Sequence, residues 1–423
     1  MTRTLDELVA SVVDAGLCSG CGACTRLDDG LEMAIDGRGY LRPRRTAAGG
    51  GAAAGSATVG SATVGSAPVA TPDAAATFRT VCPGWTVTAQ RHSGVPYHPT
   101  LGPVLGAWRA AAADPEIRRR GSSGGVLTAL AAWLVERGEV TQVVGARAGD
   151  EPRRTVPVVI RSRAEALASA GSRYAPVAVG SHPDALDPRG ATIGKPCEAV
   201  ALRALARTRG EPAPLLLSFF CAGTPAQTAT DDLVTELGLE PGTPLDDLWY
   251  RGRGWPGRFT ARAADGREVS ASYDESWGGA LGPTVQWRCK LCPDGTGESA
   301  DVSAGDLWHA DERGYPVFDD ADGWSALVAR TPRGLDVVER AITAGVLVAT
   351  PVTAADVVAV QPLQRSRRRT LLGRLTGTRL AGARVPRYRG FGLLRLAGRN
   401  ARENVRTARG TFRRVRSRSA ARS

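Results

Sequence analysis

Cysteine is the residue type through which this chain could do chemistry, and its first three lie close together. Cys18, Cys21 and Cys24 stand at two-residue intervals in Cys18-Ser-Gly-Cys21-Gly-Ala-Cys24. Three thiolates spaced C-x2-C-x2-C can fold around one corner of a cubane cluster. Gly20, Gly22 and Ala23 let the backbone wrap closely enough for amide N–H groups to point at the sulfurs. Three ligands leave the fourth iron open, and the next cysteine along, Cys82, is followed by Pro83. A remote Cys-Pro is the usual fourth ligand of such a triplet, so Cys18, Cys21, Cys24 and Cys82 are read as one 4Fe-4S site. Zinc is the rival occupant, but zinc sites usually pair two C-x2-C knuckles or mix in His. Two-cluster ferredoxins carry a further Cys where this chain has Asp28, so a single cluster is expected here.

Four thiols remain. Cys289 and Cys292 form half a site, and Cys197 and Cys221 each end a predicted strand. Carboxyl ends of strands in an α/β sheet face a common crevice, where a second cluster could assemble from these four. The alternative is that Cys197 and Cys221 are buried apolar thiols. Arg120-Gly121-Ser122-Ser123-Gly124-Gly125 precedes a helix and offers hydroxyls and free amide groups at its positive end. Such a loop suits a phosphate or the edge of an anionic flavin ring, or is simply a tight turn with a cap. It matches neither a Walker loop nor G-x-G-x-x-G. The histidines His92, His98, His182 and His309 show no ligand spacing, and only His309 lies near a suspected cofactor region.

The elements that must position these groups follow from periodicity. Met1 to Gly16 reads as an amphipathic helix, and Glu32 to Arg42 as a hairpin around Asp36-Gly37. Ala47 to Ala76 is a low-complexity insert of small residues with the near-copies GSATV, GSATV and GSAPV. It separates Cys24 from Cys82 without preventing their meeting, because the cost of loop closure grows only logarithmically with length. From Leu101 the pattern turns globular. Helix Val126 to Arg137, strand Gln142 to Ala146, strand Val156 to Ile160 and helix Ala164 to Ala170 come first. A strand from Ala191 runs into a loop reaching Glu198, then helix Ala199 to Arg207, strand Leu215 to Phe220 and a helix from about Pro225 to Leu237. This alternation argues for an α/β domain. A hairpin turns at Asp265-Gly266, and a last strand and helix span Ser325 to Ala344.

The expected fold is therefore mixed α/β. An iron–sulfur module of ferredoxin-like type spans residues 1–100, with its insert at 47–76. The α/β part divides into 101–240, which carries the glycine–serine loop, and 241–362, which carries the C-x-x-C. An Arg-rich tail spans 363–423.

Charge and composition exclude several classes. The hydrophobic fraction of 43% is ordinary for a folded protein, so wholesale disorder is not expected. The N-terminus lacks the basic start, apolar centre and cleavage site of a signal peptide, and no apolar run reaches the roughly 20 residues of a membrane span. The expected compartment is the cytoplasm, where eight cysteines are better explained by metal than by disulfides. The net charge of +12 is concentrated at one end: from Arg365 onward there are 19 arginines against Glu403 alone, leaving the rest of the chain mildly acidic. That pattern does not suit a protein built around nucleic acid. Leu371, Leu372 and Leu375, and later Leu393, Leu394 and Leu396, have helical spacing, so about half of the tail is expected to be helix; the tail reads either as a solvated, partly disordered extension or as a docking element for a partner or an anionic membrane.

Taken in order, the triplet, Cys82-Pro83, Arg120-Gly-Ser-Ser-Gly-Gly-Val126, Gly194-Lys-Pro-Cys-Glu198, Phe220-Cys221, Arg288-Cys-x2-Cys292 and Asp301-Val-Ser-x-Gly-Asp306 resemble one family, from about Cys18 to Ala344. It is the beta subunit of coenzyme F420 hydrogenase and dehydrogenase. The resemblance implies an oxidoreductase with FAD and 4Fe-4S clusters that exchanges a hydride with a deazaflavin or another organic molecule. It also implies flavin contacts at Arg120 to Gly125 and at Lys195, and a ferredoxin-like donor or partner subunit. The insert and the arginine tail fall outside the resemblance. A variant of this reading keeps the cofactors but reduces a sugar, tetrapyrrole or lipid intermediate. The rival from another class is a non-catalytic zinc module with a nucleic-acid-binding tail. Lys195 and Glu198 are candidate proton donors by their place beside Cys197.

Overall fold

The computed structural model describes residues 3–46, 73–308 and 323–420. His309 and residues 47–72 of the insert lie outside the described residues. An eight-stranded sheet organises the chain. Its strands are β1 (Gly106–Ala112), β2 (Val143–Ala148), β3 (Thr155–Ile160), β4 (Ala191–Gly194), β5 (Leu215–Phe219), β6 (Val302–Asp306), β7 (Ser325–Ala329) and β8 (Leu347–Pro351). The order across the sheet is β8-β1-β7-β6-β5-β4-β2-β3. Strands β2, β4, β5 and β6 are parallel, and every other pairing is antiparallel.

The central parallel strand β5 carries the apolar run Leu215-Leu216-Leu217 because both of its faces are covered. Leu217 and Val143 face a core built with helix Val126–Glu136, while the adjacent Leu216 and Val144 face a second core built with helix Pro196–Arg209. Successive strand side chains point to opposite faces, so one leucine run serves both layers. Cys21 and Ala23 belong to the second core. The N-terminal cysteine loop is thus seated on the sheet's own packing.

Around the sheet stand helix α1 (Leu5–Asp14), helix α2 (Ala74–Val81) and the hairpin Leu31–Ile35 with Leu41–Arg45. A three-stranded sheet holds Leu245–Trp249, Phe259–Ala263 and Glu268–Ala271. Helix α1 starts with a capping box in which Thr4 and Glu7 satisfy each other's backbone N–H groups. Helix α2 begins at Ala74, so the last residues assigned to the insert are helical, with Phe78 and Val81 buried.

Three expectations change. The segment after β4 is not a loop through Glu198, because the helix already starts at Pro196 and Cys197 sits in its first turn. Proline is pre-organised for the first helical position, and the Glu198 carboxylate accepts from the Lys195 N–H at 2.7 Å. The Ala-rich strand β1 gave no periodic signal, since it lacks alternating large apolar residues. The arginine tail is helical where the leucine spacing placed helix, but further than half its length and not as a solvated extension: it folds into helices Pro362–Leu380, Leu393–Arg399 and Ala401–Ala420. Its strand Arg387–Arg389 pairs in parallel with Thr86–Thr88. A Cβ on Gly373 or Gly377 would meet the Asn404 or Ala408 carbonyl at 2.4 or 2.3 Å, so the small residues let two of these helices touch. Arg367 and Arg368 are buried, Arg368 in an ion pair with Glu298.

Candidate functional site

Cys18, Cys21, Cys24 and Cys82 line a single pocket, closed by Val9, Val12, Phe78 and Val81. Helix α2 ends at Val81 and so delivers Cys82 to the triplet. Gly22 adopts φ +81°, and a Cβ there would meet the Ser181 N at 2.7 Å, so only glycine lets the cysteine loop lie against residues 179–181. The Gly20 N–H donates to the Cys18 sulfur at 3.4 Å, the Ala23 N–H faces Cys21, and the Gly84 and Trp85 N–H groups face Cys82. Burial pushes the Cys21 thiol up to about 11 and raises Cys24 and Cys82, with the neighbouring thiols adding to the shift. Four thiols crowded in an apolar pocket ionise together only against a compensating positive charge, and a bound metal centre supplies one. The donor set and the inward N–H groups fit an iron–sulfur cluster. Among the described residues, no three His, Cys, Asp or Glu side chains converge on a single ion; the thiols stand as separate walls of the pocket.

The second set is assembled by the parallel strands. Ser218 of β5 is in register with Gly194 of β4, so Phe220-Cys221 and Lys195-Pro196-Cys197 leave the sheet side by side. Cys289 belongs to the short helix Trp287–Lys290, and Cys292 follows it. Gly223 packs on this turn, where a Cβ would lie 3.2 Å from that of Cys289. Burial raises Cys221 to about 12, with Cys289 and Cys292 adding to it and Arg367 opposing it. Cys197 is also raised by burial, and its thiol senses Cys21 on one side and Cys221 on the other. The Cys292 thiol donates to the Asp294 carbonyl at 2.9 Å.

The glycine–serine loop joins helix Pro115–Arg120 to helix Val126–Glu136. A Cβ on Gly124 would lie 2.4 Å from the Ala110 carbonyl oxygen and 2.9 Å from the Ser325 N, so the loop is pressed onto β1 and β7. Ser123 and Ser325 hydroxyls bond at 2.9 Å, and Ser172 donates to Ser122 at 2.7 Å. Arg251 clasps the loop, donating to the Ser122 carbonyl at 2.6 Å and pairing with Asp306 at 2.6 Å. Burial works against its charge, but Asp306 more than offsets this and its pKa is raised. The rings of Trp255 and Tyr273 flank its guanidinium at 5.0 and 5.2 Å.

Lys195 is buried, its ammonium held 2.7 Å from Glu198 and 2.5 Å from the Val177 carbonyl. Glu198 also accepts the Val179 N–H at 2.9 Å. The pair therefore anchors residues 177–181, on which the cysteine loop rests. Both groups face each other instead of an open crevice. His98 and His182 accept backbone N–H groups of Thr100 and Asp184 within their own turns. Sequence reasoning missed Arg251 and Arg367. Arginines look alike in a basic chain, and the only signal for Arg251 was a basic residue entering the glycine-rich turn Arg251-Gly-Arg-Gly254 after a strand.

Two family models for the coenzyme F420 hydrogenase/dehydrogenase beta subunit match the chain, one for its N-term over residues 107–182 and one for its C terminus over residues 188–355. Together they span more than half of it. The chain belongs to the coenzyme F420 hydrogenase/dehydrogenase beta-subunit family, whose members are oxidoreductases. It is 26% identical over 270 residues to the coenzyme F420 hydrogenase subunit beta of Methanothermobacter thermautotrophicus, covering 59% of this chain and 86% of that one. It is 25% identical over 247 residues to the F420-dependent formate dehydrogenase 1 subunit beta of Methanococcus maripaludis, covering 53% of this chain and 62% of that one. A chain of the F420-reducing NiFe hydrogenase complex from Methanosarcina barkeri is similar in structure, with a TM-score of 0.48 and 20% identity over 66% of this chain and 96% of the other. The family models hold the glycine–serine loop, Lys195 and the second thiol set. The Cys18 to Cys82 pocket and the arginine-rich helices lie outside them, so the matched region is narrower than the resemblance that began at Cys18. Among the described residues no helix is long and apolar enough to cross a membrane.

Proposed function

We propose that this family member is an electron-transferring subunit that holds 4Fe-4S clusters and FAD and exchanges a hydride with coenzyme F420 or another reducible organic molecule. The observation that carries the reading is the meeting of Cys82 with Cys18, Cys21 and Cys24 in one pocket edged by N–H donors. Residues 1–100 then form the iron–sulfur module, of ferredoxin-like type. Cys197, Cys221, Cys289 and Cys292 are the ligands assigned to a second cluster. The relatives' names support the substrate class, since they couple coenzyme F420 to hydrogen or to formate. As they are subunits, an electron-donating partner subunit or a ferredoxin-like carrier is part of the proposal.

When bound, the clusters supply single-electron chemistry and the flavin exchanges between one- and two-electron transfer. The chain's own residues do the holding. Arg120 to Gly125 present a backbone cradle, which Arg251 and Ser325 keep in place. Trp255 and Tyr273, stacked about Arg251, give the neighbouring wall flat apolar faces suited to a flavin ring. Lys195, Arg288 and Arg367 are buried cations around the second thiol set and offset the negative charge that thiolates bring there.

Anaerobic purification followed by iron, acid-labile sulfide and FAD analysis tests the proposal. Iron and sulfide in equal amounts with bound FAD are expected; Cys82→Ser and Cys289→Ser should each remove one cluster's share. A colourless, zinc-containing protein would overturn the reading. Dithionite-reduced protein is expected to reduce coenzyme F420. Failure of that step with clusters and FAD intact moves the substrate to another organic class.

A further inference from the structure

A recess lies between the arginine-rich segment and the residues that adjoin the N-terminal thiols. A surface pocket of about 360 Å³ is lined by Arg379, Arg384 and Arg387 on one side and by Leu17, Gly84 and Trp85 on the other. Leu17 adjoins Cys18, and Gly84-Trp85 follow Cys82-Pro83, so the pocket's floor is the backbone that carries two of the four thiols. The three arginines are exposed, and none has a carboxylate partner among the described residues. Two of them are tied to Trp85: the Arg387 N–H donates to the Trp85 carbonyl at 2.9 Å, and the Arg384 guanidinium lies over the Trp85 ring at 5.2 Å.

We propose that this basic recess is the docking surface for an acidic one-electron carrier protein; the inference rests on the iron–sulfur reading of the Cys18 to Cys82 pocket. Three uncompensated guanidiniums favour an anionic occupant. Arg389, Arg399, Arg402 and Arg406 of the same arginine-rich segment are exposed as well, so the recess belongs to a cationic end of the chain and is not an isolated anion pocket. The charge is also local: the tail is strongly cationic on a chain that is otherwise mildly acidic, which orients an acidic carrier toward this end. A concave site floored by the cysteine loops suits a protruding acidic protein better than a flat bilayer. Electron transfer falls steeply with distance, and a carrier bound here stands against the residues that adjoin Cys18 and Cys82 in the chain.

The test uses the full, anaerobically purified chain and a purified acidic two-cluster ferredoxin, with affinity measured by calorimetry at low and high salt. Affinity is expected to fall about tenfold or more between about 0.05 and 0.3 M salt. A loss of about tenfold at low salt is expected in R379E/R384E/R387E. Arg384 also donates to the Ser11 carbonyl at 3.3 Å. The milder R379Q/R387Q, which keeps that contact, should therefore show a smaller loss in the same direction. Iron and sulfide content and bleaching by dithionite should match the parent in both. Unchanged ferredoxin affinity in both variants overturns the docking surface while leaving the iron–sulfur reading intact. So does wild-type binding to phosphatidylserine vesicles, or to inorganic phosphate, without binding to ferredoxin. Absence of iron and sulfide in the parent sinks the underlying reading, and is seen before any affinity is measured.

Discussion

The guanidinium of Arg288 donates twice to the carbonyl of Pro83, at 2.7 and 3.2 Å. Arg288 is buried and precedes Cys289, while Pro83 follows Cys82, so this contact joins the two thiol groups across 205 residues of sequence. Tyr388 completes the joint: its hydroxyl donates to the Leu291 carbonyl at 2.6 Å and its ring lies 5.8 Å from the Arg288 guanidinium.

Replacing Arg288 with Met should therefore cost about 1.5–3 kcal/mol, the range for hydrogen bonds made by a charged group. Lys should not restore it, because a point charge lacks the two-pronged geometry used here. Chemical denaturation checks the stability. Iron analysis is expected to show weakened retention at both thiol groups, not at one.

Glu198→Gln removes the carboxylate facing buried Lys195, and about 3–5 kcal/mol of stability should go with it. Burial opposes the Lys195 charge, yet Glu198 and the nearby thiols outweigh it and the pKa is raised. A raised folded value means the pair's contribution is complete below the ordinary lysine pKa and is lost only as pH climbs through the folded one. Denaturation midpoints of parent and variant should therefore differ equally from neutral to mildly alkaline pH. A pH–rate profile shifted by Glu198→Gln, with the folded fraction held constant, would instead make Glu198 a proton carrier.

Asp301 governs the acid limb. It pairs with Arg203 at 3.1 Å and Arg333 at 2.7 Å, and accepts from Thr331 and from the Leu216 N–H. Burial would raise its carboxyl, but Arg203 and Arg333 pull it below the ordinary value. Its contribution is thus present above the ordinary aspartate pKa of about 3.9 and disappears as pH falls through the lowered one. Asp301→Asn should cost about 3 kcal/mol at neutral pH, the low end of the range because Arg333 is half exposed. The gap between variant and parent should close on acidification, as read by urea titrations at successive pH values.

Gly124→Ala places a methyl group where the Ala110 carbonyl and Ser325 N already stand, and overpacking of this kind costs about 1–3 kcal/mol. The loop must move off β1 and β7. FAD per chain should fall while iron and sulfide hold, as checked by absorbance and metal analysis; undiminished FAD would remove the loop from the flavin site.

Much of this protein was legible in its sequence because the relevant signals are local. The cysteine triplet, the Cys-Pro, the helix after Gly125 and the strands around Leu215 each depend on residues within one turn or one strand of each other. The hairpin at Asp265-Gly266 was plain for the same reason. Strand β1 was hidden, since an alanine run takes its strand character from the neighbours that pair with it. The start of the helix at Pro196 also escaped, although Pro and Glu at its first positions were the available signal.

Tertiary structure alone decided which charges are structural. Arg367 is indistinguishable by sequence from the exposed Arg379, Arg384 and Arg387, and the local signals at Arg251 and Arg288 do not show what either one holds, because an arginine's role is set by what desolvates and faces it. Whether the C-terminal segment was tail or scaffold was likewise a question of packing, settled where Gly373 and Gly377 admit the Asn404 and Ala408 carbonyls. Cys82 spans both cases. Its type and its proline marked it as a fourth ligand, but only helix α2, docked beside α1, brings it to the other three.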